Sequence, residues 1–304
     1  MAGIPLKRFK SISEFNEFRG FPGPGHPLIS VIHMDYSPPR HSHEPFNMVF
    51  DFYSISMKRN FNAKIIYGQQ EHDFDEGIMS FMAPGQVFRI ETKPGGLSHS
   101  GWMLLIHPDF LWNTPLAKNI RKYEFFDYSV NEALFLSEKE EATVAGIMQS
   151  IDQEYSSNID KFSQDIVIAH IELLLNYSER FYNRQFITRK ISSHHLLDRL
   201  SHLLDEYFNG DIINNGLPTV SYVAENLNVS PGYLGSMLRV LTGMNTQQHI
   251  HEKLIEKAKE KLSATELSVS EIAYQLGFEH PQSFSKLFKT KTNLSPLEFR
   301  HTFN

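Results

Sequence analysis

The chain of 304 residues predicts an α+β protein in two parts. Three observations carry that prediction. Short apolar runs broken by turn residues fill the first third. Helical periodicity sets in by about residue 137, and the last third contains an internal repeat.

The strand prediction rests on segments 29–35, 48–57, 63–67, 78–82, 86–91 and 102–107, separated by Pro, Gly, Asn and charged clusters. Several short strands with turn signals between them indicate a β-sandwich or barrel. In 48–57 the alternation puts Phe52, Ser54 and Ser56 on one face. Aromatic residues are abundant, with 24 Phe and 12 Tyr. They are read as core filling, with an aromatic ligand pocket as the alternative.

Segments 137–155 and 162–182 are predicted to be helices. In the second, Ile166, Ala169, His170, Leu173, Leu174, Tyr177 and Phe181 recur at spacings of three and four. This stripe is read as a dimer interface, with packing on the β part as the alternative. Residues 184–193 are polar and basic without a period and are assigned as a linker. The domains expected are therefore 1–183, with its helical part at about 137–183, and 194–304.

Composition removes several classes of function. There is no cysteine, so disulfides, zinc fingers and cysteine nucleophiles are excluded. The N-terminus lacks the apolar run of a signal peptide, and residues 102–106 are too short an apolar run to span a bilayer. A soluble cytoplasmic protein without a membrane partner is expected. The net charge is −6, and residues 194–304 hold ten Lys and Arg against twelve Asp and Glu. A polyanion would have to be held by local placement of cations. Between His280 and Leu297 there are three lysines (286, 289 and 291) and no acid.

The internal repeat aligns residues 219–242 with 268–290. Ala224 matches Ala273, Leu227 matches Leu276 and Val229 matches Phe278, each 49 residues on. Beyond one inserted residue, Leu234 matches Phe284 and Leu238 matches Phe288. Each copy reads as a helix-turn-helix. In the second copy Ser268 and Glu271 form a capping box. Ile272, Ala273 and Leu276 face inward, Gly277 takes the left-handed position that ends the helix, and Phe278 plugs the gap. Pro281 opens the next helix, where a missing N–H is harmless, and Phe284, Leu287 and Phe288 form its buried side. In the first copy Ser230 and Pro231 start the second helix, and Asn228 replaces the turn glycine. Between the copies, Ile250, Leu254, Ala258 and Leu262 mark one helix over 246–263. Its length of about 27 Å sets the two second helices about one DNA turn, roughly 34 Å, apart. A further capping box, Ser295 to Glu298, starts a last short helix.

The run Ile272-Ala273, Leu276-Gly277-Phe278, Pro281, Phe284-Ser285-Lys286, Phe288-Lys289, Leu294-Ser295-Pro296 and Phe299-Arg300 resembles the signature of the AraC/XylS family. The helix Lys253 to Leu262 is similar to that family's linking helix. The resemblance covers about 194–304. It implies an all-α, double helix-turn-helix DNA-binding domain with two reading helices. It also implies an N-terminal cupin-like β-barrel with a helical dimerisation segment. A sequence-specific DNA-binding transcriptional regulator, not an enzyme, is therefore expected. The expected partners are double-stranded DNA, a small-molecule effector, a second copy of the chain and RNA polymerase.

The residues expected at DNA are Tyr233, Ser236 and Arg239 from the first copy, with Gly232, Gly235 and Ser236 on its exposed face. From the second copy they are His280, Gln282, Ser285, Lys286 and Lys289. A glutamine pairs with the adenine edge, while lysine reaches guanine or phosphate. The plain alternative is a solvated helix face. No catalytic residue, metal or cofactor is assigned, and no ligand-binding residue is named. His41 and His43 have the spacing of a cupin metal pair, but Pro38, Pro39 and Pro45 suggest a loop, and Phe88 stands where a third histidine would follow Pro84-Gly85. His33, His99 and His107 are scattered. Gly77 to Gly85 reads as a cupin strand pair or as a simple hairpin. Two rival readings stay open: a cupin-type metalloenzyme with an appended helical domain, and an adaptor without DNA binding.

Overall fold

The computed structural model describes the chain outside residues 1–4, 35–46, 60–62, 68–69, 73–76, 93–99, 129–131, 157–159, 161, 189, 211 and 303–304. It divides into two compact units, Met1–Gln185 and Phe186–Asn304. The first is built on sheets and the second is helical. No helix of the described residues is long and apolar enough to cross a membrane.

The first unit opens with β1 (Leu6–Phe9) and α1 (Ile12–Arg19), followed by β2 (Ile29–His33), β3 (Asn47–Phe50), β4 (Tyr53–Arg59), β5 (Ala63–Tyr67), β6 (Gln70–His72), β7 (Ile78–Met82), β8 (Val87–Thr92), β9 (Ser100–Ile106) and β10 (Leu134–Phe135). These strands form two five-stranded sheets, ordered β1-β3-β8-β5-β6 and β10-β7-β4-β9-β2. Helices α2 (Pro115–Asn119), α3 (Glu138–Ser156) and α4 (Ser163–Thr188) follow or flank β10.

The segment 48–57, read as one strand, is two. The chain bends at Asp51-Phe52: β3 pairs with β1 and β8 in the first sheet, and β4 with β7 and β9 in the second. Asp51 holds the corner, its carboxylate paired with Arg8 at 2.8 Å and its N–H donating to Phe9 O. The alternation of apolar and small residues continues across the bend and hides it. Gly77 to Gly85 is likewise not a hairpin, because β7 and β8 lie in different sheets. Gly85 turns that corner at φ +86° and donates its N–H to Phe50 O.

Both faces of β4 are covered. Phe52, Ser54, Ser56 and Lys58 are buried on one side, Ile55 and Met57 on the other. On the inner side a phenylalanine cluster fills the space, with Phe50 stacked on Phe52 at 4.8 Å and Phe15 of α1 edge-on to Phe50 at 4.8 Å. On the outer side Phe81 packs against Phe125 at 4.4 Å, and Phe125 stacks on Tyr182 of α4 at 5.6 Å. Helix α1 was missed from periodicity, yet its ends are marked: Ser11 accepts from the Glu14 N–H, and Gly20 closes the helix at φ +74°.

Helix α4 does not carry one apolar stripe. Leu174 and Phe181 are buried together with Val167, Ile168, Ile171 and Leu175, while Phe162, Ile166 and Leu173 point outward. The sequence stripe mixed two faces because the helix is apolar over much of its circumference. The segment assigned as a linker is also helical: α4 runs through Thr188, and α5 begins at Lys190. Arg184 binds Glu140 at 2.6 Å and the Phe135 carbonyl at 2.7 Å, and Gln185 accepts from the Phe135 N–H. Polar side chains that look like linker composition are hydrogen-bonding anchors.

The second unit comprises α5 (Lys190–Asn209), α6 (Ile212–Asn215), α7 (Val220–Leu227), α8 (Pro231–Thr242), α9 (Thr246–Ala264), α10 (Val269–Gln275), α11 (Pro281–Thr292) and α12 (Pro296–His301). The long α9 is its spine. Ile250, Leu254, Ala258 and Leu262 are buried along one side at four-residue spacing, and Asn245 with Gln248 completes a capping box at its start.

Candidate nucleic-acid interface

The two helix-turn-helix copies superpose bond for bond at their turns. In the first, Asn228 takes φ +58° and the Val229 N–H donates to Ala224 O at 3.0 Å. In the second, Gly277 takes φ +82° and the Phe278 N–H donates to Ala273 O at 3.0 Å. This is the bond that closes a Schellman turn, and it recurs at the 49-residue offset of the repeat. Ala224 and Ala273 are both buried, where a larger side chain would hold the paired helices apart.

Helix α11 owes its orientation to Phe284 and Phe288, both wholly buried, with Phe278 edge-on to Phe284 at 5.5 Å. That fixes what the opposite side presents. Gln282, Lys286 and Lys289 are exposed, and Ser285 is half-buried beside them. His280 occupies the cap position, and its ring is exposed and makes no capping bond. The first turn of α11 is thus open to an incoming acceptor, whereas Ser230 caps α8 by accepting the Tyr233 N–H. The lysines of α9 are engaged elsewhere: Lys253 pairs with Asp205 at 2.7 Å and Lys257 with Glu260 at 3.2 Å. No ion pair holds Lys286, Lys289 or Lys291 among the described residues.

The absence of acids near these lysines in sequence does not carry over fully into space. Glu298 of α12 lies within electrostatic reach of Lys289. Its carboxyl is held below the usual range first by the Ser295 N–H and hydroxyl, and then by the Lys289 charge. A neighbour brought in by the last turn of the chain could not be counted from the run 280–297.

Helix α8 differs from its reading. Gly235 is buried, not exposed, with Thr246 Oγ1 and Arg239 Nη2 near the position a Cβ would take. Tyr233 is half-buried, its ring edge-on to Phe186 at 5.1 Å, and Ser236 is half-buried. Arg239 is exposed. Expectations in the first unit fall differently. His41, His43, Pro38, Pro39, Pro45 and His99 lie outside the described residues. Phe88 is a core residue against Phe50, and His33 packs on Trp102 at 4.3 Å.

Comparison with known proteins agrees with this geometry. Residues 223–302 match the helix-turn-helix domain family. The chain is 32% identical over 115 residues to an HTH-type transcriptional regulator in the cgkA 5′ region of Pseudoalteromonas carrageenovora, covering 38% of this chain and 64% of that protein. It is 36% identical over 78 residues to the HTH-type transcriptional activator RhaS of Escherichia coli (strain SE11), covering 26% of this chain and 28% of RhaS. Among solved structures, the C-terminal domain of AraT, a response regulator from Geobacillus stearothermophilus, is 33% identical. That match covers 35% of this chain and 84% of AraT's domain, with a TM-score of 0.32.

Residues 223–302 thus carry a helix-turn-helix domain similar to those of HTH-type transcriptional regulators. The similarity lies in the second unit, and the chain spans less than two thirds of the length of the curated relatives it matches. Within that unit, α8 and α11 are the second helices of the two helix-turn-helix copies, and α9 lies between them in the chain.

Proposed function

We propose that the chain is a sequence-specific DNA-binding transcriptional regulator and not an enzyme. In this reading α8 and α11 are the reading helices, working in the cytoplasm. The observation that carries the reading is the paired turn geometry, which presents α11 with Gln282, Lys286 and Lys289 exposed over a fixed aromatic base. Gln282 and Lys286 face base edges, Lys289 and Arg239 face phosphate, and His280 and Ser285 flank them. Tyr233 and Ser236 support α8 from positions that are already partly covered.

The N-terminal unit, in this reading a cupin-like β-barrel, senses a small effector. Ile166 and Leu173 on the outer face of α4, with Phe162 just before its start, give a second copy of the chain an apolar surface to cover. A two-fold pair of readers suits two DNA half-sites. Contact with RNA polymerase is part of the same reading. Selection of bound duplexes from a random library tests it. The full chain should enrich one motif, and a library with no enriched motif would leave the adaptor reading in its place.

A further inference from the structure

Helix α8 meets α9 at two points on one side. Gly235 is buried at the first, and Thr246 Oγ1 lies 3.9 Å from the position its Cβ would take. At the second, about two turns further along α8, Thr242 meets His249 in the first turn of α9. The first point lets the helices approach and has no direction of its own. The second is a hydrogen bond between Thr242 Oγ1 and His249 Nε2 at 2.9 Å, and it carries direction.

The inventory of the hydroxyl fixes the sense of that bond. Thr242 Oγ1 gives its one proton to Leu238 O at 2.8 Å and accepts from the Met244 N–H at 3.2 Å. A hydroxyl has one donor and two acceptor sites, so what it offers His249 is an acceptor. His249 Nε2 therefore carries a proton and donates. Burial lowers the pKa of this half-buried ring below its ordinary value, with Glu252 acting the other way, so near pH 7 that is its one ring proton. The internal repeat shows what the histidine adds. Thr292, fifty residues on, likewise donates to Phe288 O and accepts from the Leu294 N–H, but its remaining contact is the Leu294 carbonyl in its own loop. Both copies close their second helix with the same threonine, and in the first copy that threonine also ties the helix to α9.

We propose that His249 is a positioning residue for DNA reading by α8: through Thr242 it fixes the angle of α8 on α9, and so the place of Arg239 on the duplex. The proposal rests on the reading of α8 given above and names the residue that aims it. Arg239 lies in the turn that the link fastens. Its carbonyl accepts the N–H of Gly243, which ends the helix at φ +76°, and its side chain is exposed. A tilt of α8 about the Gly235 contact would carry Arg239 off its phosphate, and the bond from His249 opposes that tilt. Helix α11 has its direction from Phe284 and Phe288 instead, so the effect of His249 is confined to the first copy.

The test titrates the full chain on the selected duplex and on a half-site duplex that carries only the element impaired by Gln282→Ala and ends before the other. His249→Phe keeps the ring and removes the donor. It should weaken binding to the selected duplex about tenfold and leave binding to the half-site unchanged. Thr242→Val should do the same, and the double variant should lose no more than either single one, as partners in one bond do. Adding Arg239→Ala to His249→Phe should bring little further loss. His249→Gln, whose amide N–H can donate in place of the ring, should bind as the wild type does. A variant that is only less stable would lose affinity on both duplexes alike. Equal loss on both duplexes, additive losses in the double variant, or full affinity in His249→Phe would overturn the proposal alone. A wild-type chain that binds the two duplexes equally would overturn the reading of α8 and the proposal with it.

Discussion

The guanidinium of Arg300 donates to the carbonyl oxygen of Leu267 at 2.6 Å, and its Nε donates to Leu262 O at 3.2 Å. Leu262 lies near the end of α9 and Leu267 just before α10. One side chain from the last helix therefore ties off the spacing helix and sets the entry to the second helix-turn-helix. Charged hydrogen bonds of this type are worth about 1.5–3 kcal/mol, and removal leaves acceptors orphaned. Arg300→Ala should accelerate amide exchange in α10 and α12 by about tenfold or more and leave α7 and α8 unchanged. Arg300→Lys should not rescue it, because an ammonium cannot match the fork. Equal exchange in all four helices would remove the tie.

Gly277 is a second point of close fit. It holds φ +82°, and a Cβ there would stand 2.6 Å from Ile212 Cγ2 and 2.9 Å from the carbonyl carbon of Gly216. Gly277→Ala should cost about 1–3 kcal/mol from the strained turn and the collision. Asn228→Gly in the first copy should cost only a few tenths, because asparagine already tolerates that conformation. Chemical denaturation of both variants checks the difference.

The repeat, the caps at Ser268, Ser295 and Ser230 and the turn at Gly277 were legible in the sequence, because each is a local rule about backbone groups. The sheet partners were not. Whether β3 and β4 are one strand depends on which strand each meets, and alternation continues straight across the bend at Asp51. Arg184 and Gln185 resembled linker residues for the same reason: their partners, Glu140 and Phe135, lie about fifty residues back. Gly235 was misplaced because its covering neighbour Thr246 belongs to the next helix. The candidate reading face of α11 was legible because its own phenylalanines fix it. The nearness of Glu298 to Lys289 was not.

Lys58 gives the β unit a pH dependence of definite sign. Burial, with the charge of Arg19, brings its ammonium from 10.5 to about 7. Below about pH 7 both folded and unfolded chains hold the proton, and the cost of burying the charge is at its full size. Between about 7 and 10.5 only the unfolded chain holds it, so stability rises with pH across that window. The melting temperature should climb between pH 7 and 9.5 in the wild type and climb less in Lys58→Met. Parallel curves would contradict the burial argument.

Lys289 and Gln282 should fail in different ways. Lys289→Ala should lower the salt slope of binding by about one unit and weaken all sequences alike. Glu298→Gln keeps the cap at Ser295 and removes the nearby negative charge, so it should strengthen binding. Gln282→Ala should lose about 1–3 kcal/mol of discrimination at one base pair, with non-specific affinity unchanged. Titration of each variant on the selected site and on its point variants separates these outcomes.

The central claim is that α8 and α11 read one face of the duplex, held apart by α9, a helix of 19 residues and about 28 Å. Two recognition elements about 10 base pairs apart, one helical turn, should therefore appear in the selected site. Inserting five base pairs between them turns the second element to the far side of the duplex. The full chain should then bind no more tightly than to a site with one element intact. Insertion of a full turn tests reach separately from face. Affinity unchanged by the half-turn insertion would contradict the account, because it would mean that only one of the two helices reads DNA.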